Sequence, residues 1–278
     1  AGLAAFVGTL VLVGIGMREY MEGVRLMGRD FYGVVRTKDT PNPVPYRAMY
    51  HGTIIHGGQL LGDQYKNVPS DYFGPSSGYG RLFASLPAES KRSVGIIGLG
   101  AGVVAAYGRP GDTFVFYEIS PKVIDYADRE FTFLKDTGAK TEVVLGDGRL
   151  SLEREPPRRY DILGIDAFSG DSIPMHLVTR EAMALYVKHL AENGVIVFQA
   201  TNRYIDLMPV IKRLASEVGM QAVLVSDSPG HSSGPEYWLS STDQVIVTRN
   251  LALLESPRFK EESVTQIEDR KDLPTFTD

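Results

Sequence analysis

The stretch SVGIIGLGAGVVAAYGRPGDTFVFYE, from Ser93 to Glu118, decides the fold that the rest of the sequence builds on. Val94 to Ile97 is a short apolar run typical of a buried strand, and Thr113 to Tyr117 is a second one. The GLGAG sequence after the first strand predicts a turn that only glycine permits, and the residues after that turn predict a helix. A strand, a glycine turn, a helix and a strand that ends in a carboxylate are typical of a nucleoside-binding α/β unit.

The spacing of the glycines indicates which nucleoside is bound. The dinucleotide fingerprint G-x-G-x-x-G would need glycine at position 103, but the residue there is Val103. The third glycine comes one residue earlier, so that Gly98, Gly100 and Gly102 look like the G-x-G-x-G loop of S-adenosylmethionine-dependent enzymes. A Cβ atom at Gly98 or Gly100 would occupy the space of the ligand. A glycine turn without a ligand is the alternative, because one glycine loop is a weak signal.

Length and composition exclude several kinds of site. The chain of 278 residues has room for one large α/β domain and a small accessory part. Its net charge of -5 argues against nucleic acid as a partner, because no excess of basic residues neutralises phosphates. The chain has no cysteine, which excludes disulfides, thiolate metal sites and cysteine nucleophiles. Its five histidines show no metal-ligand spacing, so we expect no metal site.

Residues 1–17 form an uncharged apolar run slightly shorter than the about 20 residues of a membrane span. A truncated transmembrane segment, a signal-type segment and a buried helix are the three interpretations, and a signal peptide would usually begin with basic residues. Basic residues follow the run, which is typical of a segment that leaves the membrane on the cytoplasmic side: Arg18, Arg25, Arg29, Arg36 and Lys38. We favour the truncated span, so that the chain would be part of a membrane protein at the cytoplasmic face of the inner membrane.

The remaining chain divides by its pattern. Residues 18–88 predict a linker and a small N-terminal β-hairpin domain, because short strand-like runs alternate with glycine and proline turns. Residues 89–250 alternate strands and helices, which predicts an α/β fold with a mostly parallel sheet and helices on both faces, like that of the S-adenosylmethionine-dependent methyltransferases. Residues 251–278 predict a charged C-terminal tail at the surface or partly disordered.

Three carboxylates follow apolar strands in this Rossmann-like region. The carboxyl ends of parallel strands line one crevice, so Glu118, Asp147 and Asp166 are expected to converge on one ligand. Glu118 would bind ribose hydroxyls, Asp147 beside Gly148 would accept from the adenine amine, and Asp166 would face the reacting centre. The alternative for each acid is a loop-capping carboxylate.

From about Ile55 to Thr248 the chain resembles the spermidine synthase, or aminopropyltransferase, family, and especially its bacterial branch fused to membrane segments. The order and spacing of short motifs carry this resemblance: HGGQ (56–59), YGRLFASLP (79–87), GLGAG (98–102), EI (118–119), GDG (146–148), YDILGID (160–166) and VIVFQ (195–199). The resemblance implies a transferase of polyamine biosynthesis, and it is compatible with a homodimer.

The resemblance also implies a donor and a set of site residues. The donor would be decarboxylated S-adenosylmethionine, with Gln59, Tyr79, Glu118, Asp147 and Asp166 at positions that hold donor or catalytic groups. An amine acceptor would attack the carbon next to the sulfonium. Because an amine is protonated at pH 7, a base must take its proton, and we assign Asp166 as this base, with Tyr79 orienting the amine.

The acceptor half of the motif set departs from the family. The aspartate of the family's glycine loop is replaced by Ala101, and a second aspartate is replaced by Ser169, with Asp171 nearby. The late tyrosine of the acceptor site is replaced by His231. We therefore expect an amine acceptor that is contacted by Asp171, His231 and Tyr72 and that need not be putrescine.

Two other functions fit the same residues. A methyltransferase would use S-adenosylmethionine itself, since one fold serves both donors. A non-catalytic module would bind a nucleoside and regulate an attached membrane domain, although binding alone does not need a base. Tyr72, Phe73 and Tyr79 could present aromatic faces to an amine or a sulfonium, or simply pack. His176 is expected to support the helix after the Asp166 loop.

Overall fold

The computed structural model describes residues 2–87, 89–168, 173–202, 205–229, 237–270 and 275–278. Helices in these ranges are α1 Gly2–Met21, α2 Gly78–Ser85, α3 Pro121–Glu130, α4 Phe133–Asp136, α5 Gly148–Arg154, α6 Arg180–His189, α7 Met208–Glu217 and α8 Leu251–Leu254. Strands are β1 Val24–Asp30, β2 Gly33–Thr40, β3 Tyr46–His51, β4 Ile54–Leu60, β5 Ser93–Ile97, β6 Thr113–Glu118, β7 Lys140–Leu145, β8 Tyr160–Ile165, β9 Leu190–Gln199, β10 Gln221–Asp227, β11 Thr242–Thr248 and β12 Val264–Gln266.

The larger sheet confirms the predicted α/β fold. Its strand order is β12-β10-β11-β9-β8-β5-β6-β7, with parallel pairing from β9 to β7 and antiparallel pairing among β9, β11, β10 and β12. Strands β5 and β8 are almost entirely buried, as expected of parallel strands that are covered on both faces. The fold is thus Rossmann-like, with a mostly parallel sheet, helices on both faces and a small antiparallel sheet before it.

The connection after the glycine turn is a short helix. The sequence predicted a helix there, and Val103–Tyr107 forms one of the 3₁₀ type. The sequence from Gly108 to Gly111, GRPG, ends the helix after little more than one turn, because proline cannot continue it. Gly108 also lies against Thr137, so that an added Cβ would stand 2.2 Å from the Thr137 hydroxyl. The chain must therefore turn at Gly108.

Strands β1 to β4 form the predicted antiparallel hairpin sheet, which packs against the larger domain. Glu130, at the end of α3, receives Arg25 at 2.6 Å and Arg47 at 3.5 Å from this sheet. Asp30, at the end of β1, accepts a hydrogen bond from the hydroxyl of Ser120. These polar contacts fix the hairpin sheet above the carboxyl ends of β5 and β6.

Helix α1 contains the apolar run that was predicted as a membrane segment. Its large apolar side chains, such as Phe6, Leu10 and Leu12, are more than half exposed. In the described part of the chain, no helix has both the length and the apolarity that a membrane span requires. Residues 2–21 are thus helical, and the proposed membrane location stays a prediction.

The C-terminal residues are more ordered than predicted. Strand β12 pairs with β10 and adds an edge to the larger sheet, with Val264 opposite Val225. Phe259, on the 3₁₀ turn Pro257–Phe259, is buried in the core. Asp278 forms an ion pair with Arg149. The expected surface tail therefore contributes one edge strand to the sheet and two buried side chains, Leu253 and Phe259, to the core.

Candidate active site

A cavity of about 290 Å³ opens at the carboxyl ends of the parallel strands. Its floor consists of the loops that follow β5, β6, β7 and β8, where the three predicted carboxylates lie. Its roof comes from the hairpin sheet, through Tyr32, Met49, His51 and His56. A crevice at the carboxyl ends of parallel strands is where α/β proteins bind their ligands.

The glycine loop lies in the cavity wall, but the reason for its glycines differs from the prediction. An added Cβ at Gly98 would lie 2.3 Å from the carbonyl oxygen of Asp166, and one at Gly100 would lie 2.3 Å from that of His56. Both glycines have positive φ, of 104° and 52°. They are thus required by neighbouring backbone of the protein. Gly102 has φ of 80° and begins the 3₁₀ helix without lining the cavity.

Glu118 lines the cavity and also holds the glycine loop in shape. Its Oε2 accepts from the amide of Leu99 at 3.0 Å, and its Oε1 accepts from the amide of Ser120 at 2.8 Å. Burial raises the pKa of Glu118, and these amide hydrogen bonds oppose the rise. Each carboxylate oxygen can accept more than one hydrogen bond, so ribose hydroxyls remain compatible with this arrangement.

Asp147 and Gly148 lie at the opposite end of the floor. Asp147 caps α5 through its Oδ1, which accepts from the amide of Leu150 at 2.9 Å. Its Oδ2 lies 3.0 Å from Nε2 of His176. His176 lies on the 3₁₀ turn Met175–Leu177 and lines the cavity, where its side chain contacts Asp147; its expected support of the following helix stays a prediction. Asp147 therefore both caps α5 and lines the cavity.

Asp166 follows β8 and lines the cavity beside Gly98. Burial raises its pKa to about 8, a hydrogen bond from Tyr72 lowers it, and the charge of Glu118 raises it. Because the largest cause is loss of water around the carboxylate, a positive charge in the cavity would favour the ionised form. The residue can therefore exchange a proton near neutral pH.

Tyr79 and Tyr72 lie behind the cavity wall. Tyr79, on α2, is completely buried, and its hydroxyl has no hydrogen-bond partner among the described residues. Gly164 leaves room for this hydroxyl, since an added Cβ would lie 2.2 Å from it. Burial, followed by the charge of Asp166, raises the pKa of Tyr79 well above its usual value. Tyr72 donates to Asp166 and is thus positioned to orient that carboxylate.

Gln59 does not line the cavity, and its predicted role at the donor stays a prediction. Its Nε2 donates to the carbonyl of Lys66 and to the hydroxyl of Thr132, both at 2.8 Å. Its Oε1 accepts from the amide of Thr132 at 3.1 Å. The buried amide therefore joins β4 to the residues between α3 and α4. The other two predicted acceptor residues, Asp171 and His231, lie outside the described residues.

Sequence reasoning missed the roof of the cavity. Tyr32, Met49 and His51 come from hairpin positions without a local motif, and only the tertiary packing of two sheets brings them to the site. His56 was quoted within the HGGQ motif without a role of its own. The residue after His56 is Gly57, whose φ of 101° favours glycine. A glycine at this position was therefore the one signal in the sequence for an unusual backbone conformation next to His56.

Acidic side chains dominate the charge of the described cavity lining. Glu118, Asp147 and Asp166 line the cavity, and no lysine or arginine is found among its described lining residues. Such a lining favours a cationic ligand, because a carboxylate on the ligand would have no cation to pair with. The described residues also hold no cluster of histidine, aspartate and glutamate suited to a metal ion.

Known proteins are similar to this chain in sequence and in fold. The polyamine aminopropyltransferase of Vibrio vulnificus is 37% identical over 107 residues, which are 37% of this chain and 35% of that protein. A probable polyamine aminopropyl transferase of Bifidobacterium longum is 25% identical over 173 residues, which are 61% of this chain and 36% of that protein. The chain thus spans about a third of the length of these curated relatives. No family model matches the chain.

The solved structures agree in fold. The spermidine synthase of Thermotoga maritima superposes with a TM-score of 0.58 at 16% identity, covering 86% of this chain and 79% of that one. The chain resembles the spermidine synthase family in both sequence and fold. A probable spermidine synthase of Corynebacterium glutamicum gives a TM-score of 0.60 at 17% identity, covering 82% of this chain and 79% of that one. The resemblance to the spermidine synthase family is therefore confirmed, whereas its membrane-fused branch, a bacterial origin and a homodimer stay predictions.

Proposed function

We propose that this chain transfers an aminopropyl group from decarboxylated S-adenosylmethionine to an amine acceptor. The observation that carries the proposal is Asp166, a carboxylate with a pKa of about 8 that faces a nucleoside-sized cavity beside the glycine loop. A general base works best when its pKa lies near the operating pH. The named relatives in Vibrio vulnificus and Bifidobacterium longum support the same reaction class.

The reaction follows from the chemistry of a sulfonium. The lone pair of the acceptor amine attacks the aminopropyl carbon next to the sulfur, and a carbon–nitrogen bond forms. The carbon–sulfur bond breaks with its electron pair on sulfur, which leaves neutral methylthioadenosine. The proton of the amine passes to Asp166. A sulfonium leaves without further activation, so positioning of the two reactants supplies much of the rate.

Donor binding would itself prepare the base. In the free protein the pKa of about 8 keeps most of Asp166 protonated at pH 7. The positive sulfonium in the same cavity stabilises the carboxylate, because opposite charges at short range favour the ionised form. Tyr72 donates a hydrogen bond that favours the same form. The hydroxyl of Tyr79 has no partner among the described residues, but it is fully buried behind the cavity wall, so its contact with the amine stays a prediction.

The lining supports the decarboxylated donor over S-adenosylmethionine. The carboxylate of S-adenosylmethionine would enter a cavity lined by Glu118, Asp147 and Asp166, without an arginine or lysine in its described lining. Like charges disfavour that ligand, and removal of the carboxyl group removes the conflict. This argument separates aminopropyl transfer from methyl transfer, although both reactions use the same fold.

The test is a product assay with the purified chain. Decarboxylated S-adenosylmethionine is incubated with putrescine, spermidine, cadaverine or a monoamine, and methylthioadenosine and the new amine are quantified by mass spectrometry. We expect the two products in equal amounts with at least one acceptor, and a loss of about 10²–10⁴-fold in rate for Asp166→Asn. Asp63→Asn, at an exposed aspartate, is the matched control and should retain the rate of the wild type.

Two results would assign another function. Formation of S-adenosylhomocysteine from S-adenosylmethionine, without use of the decarboxylated donor, would make the chain a methyltransferase. Binding of methylthioadenosine without turnover of either donor would leave a nucleoside-binding module. An unchanged rate in Asp166→Asn would retain the reaction and remove Asp166 as its base.

A further inference from the structure

His56 is held at a defined place in the cavity wall. It lies on β4, and its carbonyl oxygen accepts from the amide of Ala101 at 2.9 Å. The same carbonyl lies against Gly100, which leaves no space for a side chain there. The imidazole of His56 therefore stands over the glycine loop, and it lines the cavity.

The position relative to the strands decides which part of a ligand His56 meets. The glycine loop follows β5, Glu118 ends β6, and Asp147 follows β7. Neighbouring strands are about 4.8 Å apart, so the glycine loop lies about 10 Å from the Asp147 end of the floor. If the adenine of the donor binds at Asp147 and its ribose binds at Glu118, the group attached to the sulfur lies at the glycine loop, below His56.

The imidazole of His56 is a neutral hydrogen-bonding group. Burial, followed by the charge of His51, lowers the pKa of His56 to about 4. The two imidazole centroids are 5.6 Å apart, and His51 uses its Nε2 at the carbonyl of Tyr32. Nε2 of His56 is buried and has no partner among the described residues. A neutral imidazole has one donor and one acceptor nitrogen, and an unpaired buried nitrogen is unfavourable.

We propose that His56 binds the donor by accepting a hydrogen bond from the amino group of the aminopropyl chain. This inference rests on the proposed function, because it takes decarboxylated S-adenosylmethionine as the donor. The glycine loop contributes only the methyl group of Ala101 at its tip, so the roof supplies the polar partner. A neutral acceptor binds an ammonium group while adding no further negative charge beside Asp166.

The test compares two ligands that differ by the aminopropyl group and by the positive charge that this group places on sulfur. Calorimetry measures the affinity of the full chain for decarboxylated S-adenosylmethionine and for methylthioadenosine, which lacks the amine. His56→Leu removes both ring nitrogens, and His56→Gln keeps a neutral hydrogen-bond acceptor. His189→Leu is the matched control, because Nε2 of His189 is also buried and has no partner in the described part of the chain, but His189 lies on α6, outside the cavity lining.

We expect His56→Leu to bind decarboxylated S-adenosylmethionine about tenfold or more weakly, the loss typical of a hydrogen bond to a charged group. Its affinity for methylthioadenosine should change by less than about threefold, within the usual effect of a substitution that removes no contact. His56→Gln should retain most of the affinity for both ligands. An equal loss for both ligands in His56→Leu, or no loss for either, would overturn the proposal.

Thermal unfolding of each variant tests whether it is folded before binding is measured. If His56→Leu does not fold, nitrogen NMR of the wild type labelled at histidine gives the answer. Decarboxylated S-adenosylmethionine should then shift a ring nitrogen of His56, and methylthioadenosine should not; equal shifts would refute the assignment. If the wild type binds neither ligand, or turns over only S-adenosylmethionine, the proposed function itself has failed, and this shows before any variant is made.

Discussion

Replacement of Asp166 by asparagine should slow transfer about 10²–10⁴-fold and stabilise the protein at alkaline pH relative to the wild type. Asparagine keeps the shape of the side chain but cannot take a proton from an amine. The wild-type carboxyl has its pKa raised from 3.8 to about 8 in the folded protein. The folded protein therefore holds a proton that the unfolded chain has already released over most of this range.

The size of the stability effect follows from this linkage. Because the pKa of Asp166 is raised in the folded state, the contribution of this residue to the free energy of unfolding is fully present below about pH 4. The contribution is lost as pH rises through about pH 8. The loss is about 1.4 kcal/mol per pH unit while the folded protein remains protonated. From pH 6 to pH 9 the wild type should therefore lose about 2–3 kcal/mol relative to Asp166→Asn.

Urea unfolding at pH 6 and pH 9 measures this difference, with Asp63→Asn as the control that should follow the wild type.

Transfer kinetics measure the same ionisation of Asp166. The value of kcat/KM should rise about tenfold per pH unit up to about pH 8, whereas kcat should level off at lower pH, because the bound sulfonium lowers the pKa of Asp166. A flat kcat/KM profile between pH 6 and pH 8, together with equal unfolding of wild type and Asp166→Asn at both pH values, would refute the reasoning.

Three further substitutions separate structural from chemical roles. Tyr79→Phe removes a hydroxyl that has no partner among the described residues, so the free energy of unfolding should stay constant or rise by about 1 kcal/mol, while the transfer rate falls about tenfold. A destabilised, fully active variant would contradict this prediction. Gln59→Leu leaves two polar groups of Thr132 unpaired and should lower the free energy of unfolding in urea by about 1–3 kcal/mol, with calorimetric affinity for methylthioadenosine unchanged; weaker binding at full stability would return Gln59 to the site. Arg149→Met removes the hydrogen bond from the Arg149 guanidinium to the carbonyl oxygen of His176, which is 2.6 Å long. The affinity for methylthioadenosine should fall about threefold, and the free energy of unfolding should fall by about 1–3 kcal/mol. An unchanged affinity would show that the turn that contains His176 does not contribute to binding.

The floor of the cavity could be predicted from the sequence because each of its parts is local. Glu118 and Asp166 follow apolar runs directly, and the parallel sheet brings strand ends together without further information. The glycine loop was recognised for the same reason. Its glycines nevertheless serve contacts with the backbone of Asp166 and His56, which no single stretch of sequence could reveal.

The rest of the site could not be predicted because it depends on contacts between segments that are distant in the sequence. The partners of Gln59, Lys66 and Thr132, could not be predicted because they are fixed only when β4 packs beside α3 and α4. His56 received no role of its own because its contact with Ala101, 45 positions later in the chain, forms only in the folded protein. The pattern predicted a helix after the glycine loop, but it did not specify the 3₁₀ form or the end at Gly108.

The division of the cavity into a floor on the larger sheet and a roof on the hairpin sheet makes it suited to engineering. Tyr32, Met49, His51 and His56 can be varied together in a focused library while every strand-end carboxylate stays in place. The ion pairs of Glu130 with Arg25 and Arg47 hold the roof outside the cavity, so they need not change in such a library. New acceptor ranges could then be selected on an unaltered nucleoside platform.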